Sequence, residues 1–224
     1  LTEVLVPIPQ GELKAENIKL EGITMKPQTV KQYPAFMGEV EILKTLQSMP
    51  GFSSPGDGSV FCFVQGGNKD QNLFLVDDAP VFNPSHLLGF FSSFIPDAIL
   101  EFKAYKSDAP VQLGGRLSSF VDITTKEGNL NHFSLSGDVS PMATRLSFEG
   151  PLKKQKSSWF VSLRKSHLGW LFRNRLTGMN VEFRDFNTKF NIRTGQHDRL
   201  YFSVYSGKDE FSQEGTADKY GLEW

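Results

Sequence analysis

The 224 residues carry 24 Lys and Arg against 25 Asp and Glu, a formal net charge of -1. With no basic excess to neutralise a phosphate backbone, nucleic acid is not an expected partner. No apolar run reaches the roughly 18 residues of a membrane-spanning helix, and the single cysteine, Cys62, cannot close an internal disulfide.

In chain order, residues 1–6 form a short β-prone run that Pro7 and Pro9 stop, because proline cannot continue a ladder. Residues 11–34 read as linker with short strands. Val40, Leu43 and Leu46 then recur at three-residue spacing and Met49 continues it, with Glu39, Glu41 and Lys44 off that face. The spacing predicts an amphipathic helix over 36–49, ended by Pro50 and Gly51. Residues 53–58 are a loop by their turn residues. The runs 60–64 and 73–76 read as two buried strands around the Gly66-Gly67 turn, the second ended by Asp77 and Asp78. Residues 82–94 form an apolar loop broken by Pro84 and Gly89. Pro96 opens one helical turn, and 101–106 and 119–125 are further strands separated by Gly114 and Gly115. Together these make a compact α+β domain of about a hundred residues.

From about Asn131 the texture changes. Trp159, Val161 and Leu163 alternate with Ser162 and Arg164; Phe186, Thr188, Phe190 and Ile192 alternate with Asn187, Lys189, Asn191 and Arg193, of which Lys189, Asn191 and Arg193 are expected inward. Phe133, Leu135 and Val139 in one stretch, and Leu200, Phe202 and Val204 in another, repeat the pattern. Segments of roughly 10 alternating residues joined by connections of unequal length suit the strands of a membrane barrel. A soluble β-sandwich alternates in the same way, so this texture alone leaves the two open.

No constellation for catalysis emerges, and the chain is not read as an enzyme. His86, His132, His167 and His197 lack metal-ligand spacing. Asp77 and Asp78 are neighbours on an extended chain and point apart, which suits a strand-ending turn. Gly66, Gly67 and Asn68 are not followed by the Lys-Ser/Thr of a phosphate loop. Neither a cofactor nor a metal is expected.

Three stretches resemble the plug domain of TonB-dependent outer-membrane receptors. They are 34–51 (PAFMGEVEILKTLQSMPG), 63–86 (FVQGGNKDQNLFLVDDAPVFNPSH) and 113–126 (LGGRLSSFVDITTK), in the family's order. The opening run, with Glu3 followed by Val4, Leu5 and Val6, is similar to a TonB box; an N-terminal edge strand would read the same way. The resemblance implies an α+β plug inside a transmembrane antiparallel β-barrel of roughly 22 strands, of which about five and the start of a sixth are present. The implied division is 1–33 box-like segment and linker, 34–128 plug, and 129–224 first barrel strands. An open sheet edge is not tolerated in lipid, so either the chain continues or another polypeptide completes the barrel. Lacking an initiator Met and a signal peptide, Leu1 is not expected to be the native start.

By the same resemblance, Phe82, Asn83, His86, Phe90 and Phe91 form the ligand-facing apex, with burial as apolar anchors an equal reading for Phe90 and Phe91. Gly66, Gly67, Asn68, Gly114 and Gly115 form the turns that let the plug pack closely, and Arg116 either meets acidic barrel residues or is solvated. The implied location is the outer membrane of a Gram-negative bacterium, with the plug facing the periplasm. The implied partners are the energy transducer TonB, outer-membrane lipid, and a surface lipoprotein lid or other outer-membrane subunits. The chain departs from the family at Gln65, where relatives carry Arg, at Asp78 in place of Gly, and at Leu113 in place of an aromatic. The lost charge at 65 favours an alternative: a receptor-like scaffold subunit that imports nothing.

Overall fold

The computed structural model describes residues 22–30, 33, 35, 38–56, 58–106, 109–170, 179–213 and 219–223. The box-like Glu3, Val4, Leu5 and Val6 lie outside the described residues, as does most of the linker.

The first half of the chain builds a five-stranded mixed sheet. Its strands are β1 (Ile23–Met25), β4 (Asn72–Val76), β5 (Ala79–Val81), β8 (Ile99–Tyr105) and β9 (Ser119–Thr125), in the order β1-β8-β9-β4-β5. Only β4 and β9 run parallel. Asp77 and Asp78 both take positive φ, 47° and 68°, and form a two-residue hairpin turn between β4 and β5. The short helix α1 (Pro27–Val30) and α2 (Ile42–Gln47) pack on this sheet. Ile42, Leu43 and Leu46 of α2 are buried against Phe102, Val121 and Ile123, so the apolar face read from the spacing is the one that packs.

Two local expectations are corrected. The helix starts at Ile42, not near Phe36, because Gly38 sits at φ +87° and the chain runs extended to Glu41. Glu39 and Glu41 are then free to turn away from the helix surface, and both are buried. The run before the glycine turn yields only β3 (Phe63–Val64), which pairs with β2 (Phe52–Ser53) and not with β4. Val60, Cys62 and Val64 are buried as expected. Burial pushes the Cys62 thiol up to about 12, so it behaves as a small apolar side chain.

Residues 82–94 hold the two-residue strands β6 (Ser85–His86) and β7 (Phe91–Ser92), paired antiparallel. The second half is a six-stranded antiparallel meander in sequence order. It runs β10 (Ser134–Val139), β11 (Ala143–Lys153), β12 (Ser157–Ser166), β13 (Met179–Arg193), β14 (Arg199–Gln213) and β15 (Lys219–Glu223). This wall does not close into a barrel among the described residues. One of its faces covers the first domain: Ser158, Phe160, Ser162 and Arg164 of β12, and Phe183, Asp185, Asn187, Lys189 and Asn191 of β13, are all buried. The other face carries Trp159, Val161, Leu163, Phe186, Phe190 and Ile192, each at least partly exposed. Alternation divides most of these two strands as expected, but Thr188, read on the outward side, is buried and donates to the carbonyl of Phe160. Arg193, expected inward, is exposed and donates to the carbonyls of Gly195 and Gln196 in the following turn.

Gly128 joins the two halves at φ +84°, where an added Cβ would stand 2.2 Å from the carbonyl oxygen of Trp159. Gly66 has a similar φ of +82° with nothing within 4 Å. Gly66→Ala should therefore cost only the backbone strain, about 1 to 3 kcal/mol. Gly128→Ala should cost more, because β12 must also move. Denaturant midpoints of the two variants give the comparison, and equal losses would show that the Gly128 contact is not tight.

Candidate functional site

The two halves meet along a polar seam. On the inner face of the wall, the register places Arg145 opposite Arg164 and Arg164 opposite Asp185. Two like charges side by side on a sheet repel, and the first domain supplies carboxylates to them. Glu39 Oε2 lies 3.3 Å from Arg145 Nη1, and Ser140 Oγ donates to Glu39 Oε1 at 2.9 Å. Asp97 at 3.4 Å and Asp138 complete the surroundings of Arg145. Arg164 donates through Nε to Asp185 Oδ2 at 2.7 Å and through Nη2 to the carbonyl of Ser92 at 2.6 Å. Glu41 accepts the backbone N–H of Ser92 at 2.9 Å, beside this arginine.

His86 is the centre of the seam. Its Nε2 lies 2.7 Å from Asp185 Oδ1 and its Nδ1 lies 2.6 Å from Asp209 Oδ1. The second oxygen of Asp209 accepts the backbone N–H of Leu87 at 3.0 Å. The imidazole stacks on Phe183 with centroids 4.6 Å apart, and the Arg164 guanidinium lies 5.0 Å from the same ring. Burial disfavours the charged imidazole, but the Asp185 charge and the hydrogen bonds to both carboxylates outweigh it, and the pKa of His86 is raised. A lower contact joins Lys189 Nζ to Asp77 Oδ1 at 2.6 Å, and Asp77 also accepts from Thr125 N at 3.0 Å. Below it, Asn191 Nδ2 donates to Glu127 Oε2 at 2.8 Å.

The residues expected at the apex divide into two groups. His86 and Phe91 are buried, with Leu87 and Phe91 packing on Met142, Leu168, Val181 and Phe183 of the wall and its connections. Phe82 and Phe90 are 80% and 57% exposed. With Asn83, Phe82 borders two clefts of about 290 and 330 Å³. Among the turn residues, Gly66 and Gly115 take positive φ, while Gly67 faces Ser118 at a distance where a Cβ would stand 2.4 Å from the hydroxyl. Asn68 caps a 3-10 turn over Lys69–Gln71. Gly114 has open space around it, and Arg116 is exposed and donates to the carbonyl of Gly115 at 3.2 Å. The sequence reading did not single out Arg145, Asp185 or Asp209, and it gave Arg164 and Lys189 only as the polar members of alternating strands. Their signal was available: each is a charge on the inward register of an alternating strand. No group of residues arranged to hold a metal ion occurs among the described residues.

No family model matches the sequence, and no curated protein does. Solved structures do match. The siderophore receptor PirA from Acinetobacter baumannii aligns with a TM-score of 0.60 at 16% identity, over 86% of this chain and 32% of that one. The ferric enterobactin receptor PfeA from Pseudomonas aeruginosa, solved with enterobactin, aligns at 0.58 and 16% identity, over 84% of this chain and 33% of that one. The copper transporter OprC aligns at 0.56 and 11% identity, over 90% of this chain and 33% of that one. The likeness is one of fold. This chain spans about a third of the length of each of them.

The seam titrates. Burial pushes the Glu41 carboxyl from 4.5 up to about 7 against the pull of Arg164. A raised pKa means that folding takes up a proton, so this contribution is complete below about 4.5 and lost as pH rises through about 7. His86, raised from 6.5, acts in the same direction, complete below 6.5 and lost as pH rises through its folded value. Docking of the two halves should therefore weaken between about pH 5 and pH 8, and Glu41→Gln should flatten the lower part of that range. Denaturation midpoints across the range give the reading, and a midpoint that rises with pH would contradict it.

Proposed function

We propose that this chain is the plug and first barrel strands of a TonB-dependent outer-membrane receptor that imports a ligand. The observation that carries the reading is the inverted wall: a sheet with an apolar belt across the middle of its outer face, outward charges gathered at one end, and charges along the face that seats a folded domain. In water this arrangement would expose the wrong side. In lipid it is the stable one, because each charge on the lipid face costs about 2 to 4 kcal/mol near the midplane. The fold shared with PirA, PfeA and OprC over most of the chain supports it.

In this reading residues 34–128 are the plug, residues 129–224 open the barrel, and both belong in the outer membrane of a Gram-negative bacterium. The polar seam is what lets the plug be both fixed and movable. Ion pairs hold it in register, yet both surfaces can be rehydrated when separated, which two apolar faces could not be without large cost. Ligand would meet the exposed Phe82, Asn83 and Phe90 at the apex. On the same loop the Leu87 N–H meets Asp209 and Phe91 is the register partner of His86, so a shift of the apex would be transmitted to the seam. TonB would then engage Glu3, Val4, Leu5 and Val6 by strand addition, where backbone hydrogen bonds give affinity and alternate side chains give register.

The rival scaffold reading rests on Gln65, which is exposed and takes no part in the seam. His86, in the same domain, meets two wall carboxylates and has a raised pKa, so Gln65 does not by itself argue against a seated plug. Proteins that co-purify from native membrane separate the two: a lipoprotein lid supports import, and several large barrel or secretion subunits support the scaffold.

Replacing Val4 by Pro removes one backbone donor and fixes φ. Cells carrying Val4→Pro should lose uptake-dependent growth while keeping the receptor at normal levels in the membrane. Growth and uptake equal to the native protein would show that the segment is not a working box, and the scaffold would become the better reading.

A further inference from the structure

The outer face of the wall holds a second structured feature that the plug does not use. Register places Lys165, Arg184 and Lys208 in one row across β12, β13 and β14. The adjacent outward row, two residues along each strand, is Leu163, Phe186 and Ser206, with Leu146 of β11 beside Leu163. The two rows border a groove of about 540 Å³ in the outer surface. Its floor is apolar, with Leu146 and Leu163 still 40% and 41% exposed. One rim is cationic. Ser206, small where its row neighbour is Phe186, leaves the floor concave. The groove lies on β11 to β14, with β10 and β15 still to either side, so it is formed entirely by strands present in this chain.

We propose that this groove binds one membrane lipid with an anionic, phosphate-bearing headgroup. Its acyl chains lie along Leu146, Leu163 and Phe186, and its phosphate sits against Lys165, Arg184 and Lys208. The proposal rests on the reading of this sheet as a membrane wall. Cations at the edge of an apolar belt are common, because long side chains reach for the headgroups. That alone does not call for a trough beneath them of the volume that small-molecule sites have. Acidic groups are close, and their placement sets the polarity of the site. Glu210 lies 3.4 Å from Arg184 and, with its register partner Glu182, forms the next row away from the apolar floor. Glu223 is the register partner of Lys208 at the edge strand. A phosphate rising from the acyl region therefore meets the basic row first, with Lys165 at its open end, and the carboxylates limit how far out the headgroup can extend. A free phosphate would gain nothing from the apolar floor.

The test uses protein extracted from its native membrane and placed in vesicles or mixed micelles of phosphatidylcholine. Phosphatidylglycerol with the same acyl chains is titrated in, and native mass spectrometry counts the retained lipid. One phosphatidylglycerol should be retained about tenfold more tightly than phosphatidylcholine, as two or three nearby cations provide. The double variant Lys165→Gln/Lys208→Gln should lose that preference, while Lys153→Gln/Lys154→Gln, at the opposite end of the strands, should keep it. Single Lys165→Gln gives an intermediate loss if the double variant folds poorly. Inorganic phosphate should not displace the lipid. Equal retention of the two lipids, a preference untouched by the Lys165 variants, or displacement by inorganic phosphate overturns the proposal while leaving the receptor reading intact. Failure to enter vesicles of either composition would remove the membrane reading and this site together.

Discussion

Two arginines stand side by side on the inner face of the wall, and their neutralisation is the constraint around which the two halves of the molecule are arranged. Arg145 and Arg164 are register partners, and a sheet cannot hold that pair buried without carboxylates brought to it. Asp185 comes from the next strand, but Glu39 comes from the first domain, and Glu41, its carboxyl pushed up to about 7 by burial, stands beside Arg164 and accepts the Ser92 N–H. Their delivery requires the chain to stay extended from Glu39 to Glu41 and to begin its helix at Ile42. It also requires Gly38 to take the left-handed turn that aims this segment at Ser140 and Arg145. The helix is short because its first turn is used to reach the wall.

The same constraint explains why the seam is ionic while the domain's own core is not. Seventeen buried residues, among them Leu43, Leu46, Phe102, Val121 and Ile123, form the apolar core within the first domain. Between that domain and the wall, apolar contact is confined to smaller clusters, one around Phe183 and one around Phe160. Phe183 links the two kinds of contact, since His86 stacks on it and Arg164 lies over it. Breaking one partner of a buried pair typically costs about 3 to 5 kcal/mol, so the seam is strong in place. Because its members are polar, it can also be traded for water in one concerted step.

Much of the architecture was legible in the sequence because it rests on local period. The alternation over 159–164 and 186–193 sorted most inward from outward residues on β12 and β13, and β9 was read at its full extent. The α2 face at Leu43 and Leu46 followed from three-residue spacing. What was not legible depends on partners distant in the chain. His86 meets Asp185 and Asp209 across separations of 99 and 123 residues, and no spacing rule predicts such a meeting. Glu39 and Glu41 looked like the solvated side of a helix, since their helical position could be read and their partners could not. Arg193 obeyed the alternation in sequence but lies at the strand end, where turn carbonyls are nearer than the seam. Resemblance pointed to Gln65 as the place of a missing charge, whereas the side chain that meets the wall acids Asp185 and Asp209 is His86.

The central claim is that the first domain is fixed to the wall by carboxylates answering paired arginines. A double-mutant cycle on Glu39→Gln and Arg145→Met tests it most directly, with unfolding free energy read for the native protein, both single variants and the double variant. Groups in one buried network couple by about 0.5 to 3 kcal/mol, and this account predicts a favourable coupling of at least about 1 kcal/mol. Additive losses, with no coupling beyond error, would mean that the Glu39–Arg145 pair does not help to fix the domain to the wall.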